Sequence, residues 1–536
     1  MLPVRRLVLI CLALIVAGCS RQTMVKADPE RNDLHFAIAA DPASLNPLFY
    51  HPDAATGELQ LARLSFEPFI DLDGSGNPVP ALLDRIPTLA NGGVSPDGRM
   101  ITYHLRKAVR WSDGAPVTSA DVLFTLHAIL DPRNPVRSRA GYDLIDRATA
   151  PDAHTVVFHL SRAWAPAALS FFSYGTPQSQ FVLPSHVLAK QGSLAQSPFN
   201  ANPNVGDGPY TFVEWNRGDS LRYRINTNYW RKLPAIRYLN VHVVTDPGTN
   251  LVMLRSGVLD WNLIAPAQYA VLREDLRFRF TSVPTAVIAG LVMNTGHSPL
   301  NDANVRRAIA ASIDRAAISA KITLGRYPVT NVMQPQFSWA YDSSIEQPVF
   351  DPKHADKLFD AAGWRRGADG MRSRNGTALR LTYVQFPESM TGVRVSTVVQ
   401  AALRDRGVAV TIKSVANAQL FLPKTGTLAK GNFDIAYVPF TMGADPDDSQ
   451  FLTCGAPSNY MRWCNPRVDA LEARALRSVS QTERKKLYVQ IGSIVADEVP
   501  IAYLFDAAYT YAYKRNLRGF APNAFLPTWN AGAWTL

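Results

Sequence analysis

The sequence predicts an α/β protein in which helices cover β-sheets in layers. Three observations support this class. Segments with a hydrophobic period of two alternate along the chain with segments of helical period. Hydrophobic residues make up 47% of the chain and charged residues 18%, which is typical of globular proteins. A length of 536 residues implies two or three domains.

The N-terminal segment predicts an exported, lipid-anchored protein. Two arginines precede an apolar run from Leu7 to Ala17 that is too short to span a bilayer. Small residues then lead to Cys19, a pattern typical of a bacterial lipobox, in which the cysteine is acylated and becomes the new N-terminus. We therefore interpret residues 1–18 as a signal peptide and residues 19–33 as a polar tether. An ordinary signal peptide with an incidental cysteine is the alternative.

Two cysteines remain in the mature chain, Cys454 and Cys464. An even pair in an exported protein predicts one disulfide across this short loop, which would stabilise the fold by roughly 2–3 kcal/mol. A two-cysteine metal site is the alternative, but no histidine neighbours the pair and zinc usually takes four ligands.

Charge and motifs exclude several classes of function. The net charge is +11, yet the basic residues are scattered, which argues against nucleic acid and fits a protein beside anionic lipid. The chain has no G-x-S-x-G, H-E-x-x-H or P-loop pattern, and its ten histidines lack metal-ligand spacing. The sequence predicts neither an enzyme nor a cofactor or metal site.

The first elements are a strand from Leu34, a turn at Asp41-Pro42 and a loop that ends at Phe49. Farther on, Asp71-x-Asp73-x-Ser75-Gly76 matches the first half of a calcium-binding loop. Position twelve of that loop is Leu82 instead of glutamate, so the cage cannot close in the usual way and we interpret the segment as a turn.

The segment LRKAVRWSDGAPVTSADVLFTL predicts a strand–turn–helix corner. The strand MITYHLRKAV alternates apolar and polar residues, and Asp113-Gly114 supplies a turn that needs positive φ. Thr118 and Asp121 match a capping box, after which an apolar run continues to Leu130 and Asp131-Pro132 ends the helix. Nothing in this segment is chemically reactive, so we interpret it as structural.

Strands and helices continue to alternate downstream. Helices are predicted after Asp246-Pro247, ending at Gly257, over 301–322 as one helix or a pair, over 351–364, near the start of 391–415, and over 482–498. Strands are predicted in GDGPYTFVEW, LRYRINTNYW, LNVHVV, AVIAGLVMNT, LRLTYVQ, FDIAYVPF and PIAYLFDA.

The segments DPASLNPL, LRKAVRWSDGAPVTSADVLFTL, GDGPYTFVEW, NTNYW, RSGVLDWN, NDANVRRAIAASIDR and DPKHADKLFDAAGW, in this order, resemble the bacterial extracellular solute-binding proteins of family 5. Dipeptide-, oligopeptide- and nickel-binding components of ABC importers belong to that family, and the likeness covers nearly the whole mature chain. It implies the two-lobed periplasmic-binding-protein fold, of type II in the large cluster, whose lobes are joined by two hinge segments and close over a ligand.

The resemblance also implies a division of the chain. Lobe 1 takes residues 34–290, with an accessory subdomain at about 76–194, and residues 506–536 return to it. Lobe 2 takes residues 291–505. The strands AVIAGLVMNT and PIAYLFDA are then the expected hinge segments.

The resemblance places the ligand beside the segment FDIAYVPFTMGADPDDSQFLTC. In peptide-binding relatives, an aspartate after this strand pairs with the ammonium of the peptide, and Asp445 falls on that position. Such a pair at ~4 Å contributes about 4 kcal/mol of Coulomb energy at an effective dielectric near 20, before desolvation. Backbone groups of Thr441, Met442 and Gly443 are expected to pair with an extended ligand. A solvated turn or a cation loop is the alternative.

One position departs from the dipeptide-binding pattern. Phe386 stands where dipeptide binders carry an arginine for the ligand carboxylate, and a phenylalanine cannot neutralise that charge. Longer peptides or a different cationic solute therefore fit better than a strict dipeptide. Asn46 and Phe49 are further pocket candidates in the first lobe.

The resemblance implies a monomeric receptor that captures a peptide or another small solute and delivers it to an ABC permease and its ATPases. It implies a location in the periplasm or on the outer face of the cell membrane, held by the lipid anchor. The alternatives are a lipoprotein that presents ligand to a sensor, and a receptor for a metal complex or a sugar.

Overall fold

The computed structural model describes residues 32–49, 57–175, 180–422 and 424–536. The predicted signal peptide and the lipid site at Cys19 lie outside these residues. Within the described part of the chain, no helix is long and apolar enough to cross a membrane.

The first part of the chain forms mainly antiparallel sheets. A four-stranded sheet has the order β1-β9-β8-β7, with β1 parallel to β9, and a three-stranded sheet has the order β4-β6-β5. The strands are β1 (Asp33–Ile38), β2 (Ile70–Leu72), β3 (Pro78–Pro80), β4 (Met100–His104), β5 (Ile145–Asp152), β6 (Thr155–Leu160), β7 (Tyr210–Asn216), β8 (Ser220–Ile225), β9 (Tyr238–Val243) and β10 (Trp261–Ile264).

A six-stranded sheet of order β10-β18-β11-β17-β15-β16 connects this part to the rest of the molecule. The remaining strands are β11 (Phe278–Met293), β12 (Arg365–Arg366), β13 (Arg372–Arg374), β14 (Thr377–Ala378), β15 (Arg380–Gln385), β16 (Ala409–Ser414), β17 (Ile435–Thr441) and β18 (Ile501–Lys514).

Helices cover these sheets, as the alternating pattern predicts. The helices are α1 (Glu58–Ser65), α2 (Ser119–Leu130), α3 (Ala167–Ser170), α4 (Ser185–Leu188), α5 (Pro247–Ser256), α6 (Pro266–Leu272), α7 (Ala303–Ala311), α8 (Arg315–Ile322), α9 (Pro352–Ala361), α10 (Met390–Asp405), α11 (Asn417–Leu420), α12 (Thr427–Lys430), α13 (Ser449–Leu452), α14 (Pro466–Ala475) and α15 (Gln481–Glu498).

The buried side chains separate into two lobes. The largest cluster draws only on residues between Ile288 and Phe505. Three other clusters draw on residues between Leu34 and Phe278 and on residues after Ala508. The α/β class and the two-lobed fold are as expected, and this division of the core supports the predicted boundaries at residues 290 and 505, which stay an interpretation.

Two long antiparallel strands, β11 and β18, run through both lobes. Their register shifts between Pro284 and Ile288 and again between Ala289 and Gly290, close to the predicted lobe boundary at residue 290. The sequence predicted only the C-terminal part of β11 and the N-terminal part of β18, which are apolar on both faces. The other halves, residues 278–285 and 508–514, were missed although aromatic residues recur at every second position in part of each.

The corner over residues 100–130 forms as predicted. Ile101 and Tyr103 of β4 are buried, and Gly114 has φ +94° in the turn. The N–H of Thr118 donates to Oδ2 of Asp121 at 2.8 Å, which is one half of the capping box.

Two further predictions are decided by local contacts. Cys454 and Cys464 form a disulfide, as expected from the pair in the mature chain. At the calcium-like segment, Asp73 accepts the N–H groups of Ser75 and Asn77, which makes the segment a turn. No group of three or more acidic, histidine or cysteine side chains in the described ranges could hold a metal ion.

Candidate functional site

A cleft of about 560 Å³ lies between the two lobes. Lobe 1 supplies the end of β1, the start of α1, strand β10 and part of β18, and lobe 2 supplies the end of β17 and helix α13. The lining side chains include Gln60, Arg137, Asn250, Trp261, Asn262, Thr441, Met442, Gln450, Phe451, Tyr511 and Phe525.

The wall from lobe 1 is aromatic and rigid. The ring of Trp261 stacks on Phe36 with centroids 4.6 Å apart and meets Tyr511 edge-on at 6.0 Å. Beside it, the side-chain amide of Asn262 donates to Oδ1 of Asn250 at 2.6 Å. Aromatic faces with fixed amide groups suit a ligand that has both apolar and hydrogen-bonding parts.

The wall from lobe 2 is the end of β17. Thr441 pairs with Val287 of β11, and the N–H of Met442 donates to the carbonyl of Ala286 at 2.7 Å. Thr441 and Met442 both line the cleft, and their pairing with a ligand stays a prediction. The N–H of Met442 is nevertheless committed to the protein, so it is not available for the predicted pairing with a ligand backbone.

The described part of the cleft lining is almost uncharged. Among the described residues that line it, Arg137 alone carries a formal charge. The described lining therefore contains hydrogen-bonding amides and hydroxyls, apolar surface and one guanidinium.

Asp445 lies behind the cleft wall and is buried, with 6% of its surface exposed. Both oxygens of its carboxylate accept hydrogen bonds from the guanidinium of Arg484, at 2.6 and 2.7 Å. Burial alone would lower the pKa of Arg484, but the Asp445 carboxylate raises it well above its usual value. The predicted contact between Asp445 and a ligand ammonium stays a prediction, and this geometry gives it no support.

Further acidic side chains lie next to Asp445 but not in the cleft lining. Burial raises the pKa of Asp448 to about 6, and burial together with Asp448 raises the pKa of Glu472 well above its usual value. Oδ2 of Asp448 accepts a hydrogen bond from Gln334 at 2.9 Å. These carboxyl groups are enclosed by protein, so they offer no counter-charge to a ligand.

The other predicted pocket residues lie outside the cleft lining. Gly443 sits beneath Gly175, so that a Cβ on it would lie 3.1 Å from the Gly175 carbonyl oxygen. Phe386 is in the core of lobe 2 and packs on Phe421 and Tyr437.

The two candidates from the first lobe, Asn46 and Phe49, also contact other protein groups instead of the cleft. Asn46 is fully buried, its amide donates to Asn200 at 2.8 Å, and its oxygen accepts the N–H of Leu48. Phe49 is half-buried against the core of lobe 1. Neither residue lines the cleft, because Asn46 is held by Asn200 as well as by its own loop and Phe49 packs against the hydrophobic cluster of lobe 1.

Sequence reasoning missed most of the lobe 1 wall, including Trp261, Asn262 and Gln60. The only available signal was the pair Trp261-Asn262, which follows the helix stop at Gly257 on a short predicted strand. Gln60 and Arg137 lie in segments without any distinctive pattern, and only the fold brings them to the cleft.

Comparison with known proteins agrees with this architecture. The family model "Bacterial extracellular solute-binding proteins, family 5 Middle" matches residues 77–461. Protein XP55 from Streptomyces lividans is 28% identical over 470 residues, which cover 86% of this chain and 81% of that protein. Di/tripeptide-binding protein 2 from Pseudomonas aeruginosa is 25% identical, with 95% of each chain covered.

Solved structures share the fold. NikA from Brucella suis, determined in complex with Fe(III)-EDTA, superposes with a TM-score of 0.82 at 22% identity. The superposition covers 94% of this chain and 99% of that chain. Both lobes and their connection are therefore common to the two proteins.

Proposed function

Because this chain belongs to the bacterial extracellular solute-binding proteins of family 5, we propose that it captures a short peptide or a similar small solute outside the cytoplasm and delivers it to the permease of an ABC importer. The observation that carries this proposal is the cleft between the lobes. Its walls come from both lobes, so closing the lobes surrounds a ligand with protein.

The cleft suits a molecule of short-peptide size. Its volume of about 560 Å³ is in the range of about 300–1,000 Å³ in which proteins enclose drug-sized ligands. The amides of Asn262 and Gln450 can exchange hydrogen bonds with peptide groups, and Phe525 and Phe451 can cover apolar side chains. Exclusion of water strengthens each polar contact. The proposal of a peptide longer than a dipeptide rests on the sequence alone, because Phe386 does not line the described part of the cleft.

A small anionic solute is the second candidate, favoured by the guanidinium of Arg137 in the cleft lining, which also has an interaction of its own within the protein. A guanidinium binds a carboxylate through two parallel hydrogen bonds, which a carboxylate-bearing metal complex also offers. The relative from Brucella suis was solved with Fe(III)-EDTA. Delivery of a solute to a permease and its presentation to a sensor both begin with binding of the solute in this cleft.

The proposed function is tested by binding measurements and by filling the cleft. Mass spectrometry of the purified protein identifies bound molecules, and calorimetry then compares peptides of two to five residues with Fe(III)-EDTA. We expect Thr441→Trp to weaken binding at least about tenfold, because an indole at the end of β17 occupies ligand space.

Thr411→Trp is the matched control, since Thr411 is an exposed threonine of β16 in the same sheet and does not line the cleft. It should bind like the wild-type protein. Equal affinity of Thr441→Trp and wild type would contradict the assignment of the cleft, and absence of any bound or binding solute would contradict the proposed function.

We further propose that the mature protein is a monomer held at the membrane surface by acylation of Cys19, which the lipobox pattern supports. Cells that express the full chain should incorporate labelled palmitate into it, and Cys19→Ser should release unlabelled protein from the membrane fraction. The control Cys454→Ser has the same number of cysteines as Cys19→Ser and should remain labelled. Membrane retention of an unlabelled Cys19→Ser protein would count against the anchor.

A further inference from the structure

The loop over residues 441–448, here called the bridging loop, belongs to lobe 2 but touches lobe 1. The N–H of Ala444 donates to the carbonyl of Gly175 at 2.6 Å, and the Ala444 side chain packs against the hydrophobic cluster of lobe 1. Thr441 and Met442 of the same loop line the cleft. The bridging loop is thus both a wall of the cleft and a contact between the lobes.

The partner of Ala444 is held in place by its own surroundings. Gly175 has φ +75°, a conformation that side chains other than hydrogen rarely adopt. A Cβ at this position would lie 3.1 Å from Leu72 and 3.2 Å from Phe525. The Gly175 carbonyl therefore has a fixed direction. The hydrogen bond from Ala444 to this carbonyl then depends on where lobe 2 places the N–H of Ala444.

Lobe 2 anchors the bridging loop through Asp445, the residue next to Ala444. Arg484 of α15 binds both Asp445 oxygens, and Asp445 Oδ1 also accepts the N–H of Asp447 at 3.1 Å. A second anchor is Gln334, whose amide donates to the Pro446 carbonyl at 2.9 Å. The guanidinium of Arg484 lies 5.3 Å from the ring of Trp339, which limits its movement.

We propose that Asp445 and Arg484 are positioning residues that fix the bridging loop for its contact with Gly175, and that they thereby favour closure of the lobes instead of binding the ammonium of a ligand. The closure step rests on the proposed function. The two-point guanidinium–carboxylate pair is buried, and a ligand ammonium would have to displace it to reach Asp445. The pair therefore acts on every ligand alike, through the shape of the cleft.

Hydrogen–deuterium exchange of the purified mature protein tests the anchor without any ligand. In Asp445→Asn, we expect the segment that contains Ala444 to exchange about tenfold faster or more, because hydrogen bonds to charged groups are the strong ones. Asp445→Glu keeps the charge and should restore most of the protection. Arg484→Lys keeps the charge but loses the paired geometry, so it should give a smaller increase even if Asp445→Asn does not fold.

Asp356→Asn is the matched control. Asp356 binds the buried Arg372 at 2.6 Å and Arg406 at 2.8 Å in the same lobe, and it has no described contact with the bridging loop. This variant should leave exchange near Ala444 unchanged. Exchange near Ala444 that is the same in Asp445→Asn, Arg484→Lys and wild type would overturn the proposal.

A second measurement compares trialanine with N-acetyl-trialanine, which lacks the ammonium. Asp445→Asn should weaken the binding of both peptides by the same factor, since the bridging loop loses its anchor whichever peptide is bound. A loss of affinity confined to trialanine would overturn the proposal and would indicate that Asp445 binds the ammonium of the ligand. If the wild-type protein binds neither peptide, the proposed peptide specificity fails, while the exchange result still decides the role of the pair.

Discussion

Replacing Arg63 with methionine is expected to destabilise the protein by about 3–5 kcal/mol, because it removes the only cation that the described residues place against the buried carboxylate of Asp71 and leaves Glu67 with the more distant guanidinium of Arg231 at 3.8 Å. Arg63 is 1% exposed, and its guanidinium lies 2.8 Å from Asp71 and 3.3 Å from Glu67, which are equally buried. Burial alone would lower the pKa of Arg63, but these two carboxylates raise it well above its usual value.

The cluster around Arg63 supports the cleft as well as the core. Arg63 is on α1, which supplies Gln60 to the cleft, and the hydroxyl of Tyr174, next to Gly175, donates to Asp71. Loss of Arg63 should therefore loosen the lobe 1 wall and weaken ligand binding too.

Equilibrium unfolding in urea measures this effect, with stability of lobe 1 followed separately because a two-lobed chain need not unfold in one step. Arg85→Met is the control, since Arg85 pairs with Asp84 on the surface and such pairs contribute about 0–1 kcal/mol. A loss below about 1 kcal/mol for Arg63→Met would show that the cluster is not a main support of lobe 1.

The second large effect concerns the pH dependence of stability at Asp506, which faces Ile288 where β11 and β18 cross between the lobes. Burial raises the pKa of this carboxyl to about 7. Its Oδ2 accepts the N–H of Gln336 at 2.9 Å, and Oδ1 has no hydrogen-bond partner among the described residues. The neutral acid is therefore the form that the fold accommodates.

The sign follows from the two states. An unfolded aspartate has a pKa near 3.9, so the unfolded chain ionises first as the pH rises. The contribution of Asp506 to stability is fully present below about pH 4 and is lost as the pH rises through about 7, by about 4 kcal/mol in total. Asp506→Asn removes this slope, because asparagine stays neutral and can still accept from Gln336.

Urea unfolding at pH 5, 6, 7 and 8 checks this expectation. The stability of Asp506→Asn relative to wild type should increase from pH 5 to pH 7 and level off towards pH 8. Asp146→Asn, at an exposed position of β5, should show a constant difference from wild type. Parallel curves for Asp506→Asn and wild type would mean that Asp506 is already ionised in the folded protein near pH 5.

Local elements follow from the sequence because their causes lie within a few residues. The capping box of Thr118 and Asp121, the positive φ of Gly114 and Gly257, and the helix pair over 301–322 depend only on near neighbours. The extent of β11 and β18 was underestimated, since their polar halves are held by pairing with each other across more than 200 residues.

The candidate site was predictable only in part. The strand that ends at Thr441 could be located from its apolar run and the resemblance, and it does reach the cleft. The pairing of Asp445 with Arg484 could not be predicted, because the two residues are 39 positions apart and nothing in the sequence shows that they are in contact. Phe386 was inferred to lack the charge of an arginine, but its place in the lobe 2 core required the structure.

The sequence by itself determined the α/β class, the succession of helices and strands, the disulfide and the membership of a solute-binding family, because each of these depends on composition, periodicity or motifs. Only the tertiary structure decided which side chains face the cleft and which carboxylate is already neutralised. The physical reason is that the cleft is lined by segments that lie far apart in the chain, from β1 to β18. Whether an acidic side chain can bind a ligand cation likewise depends on whether the fold has already placed a protein cation against it, as it places Arg484 against Asp445.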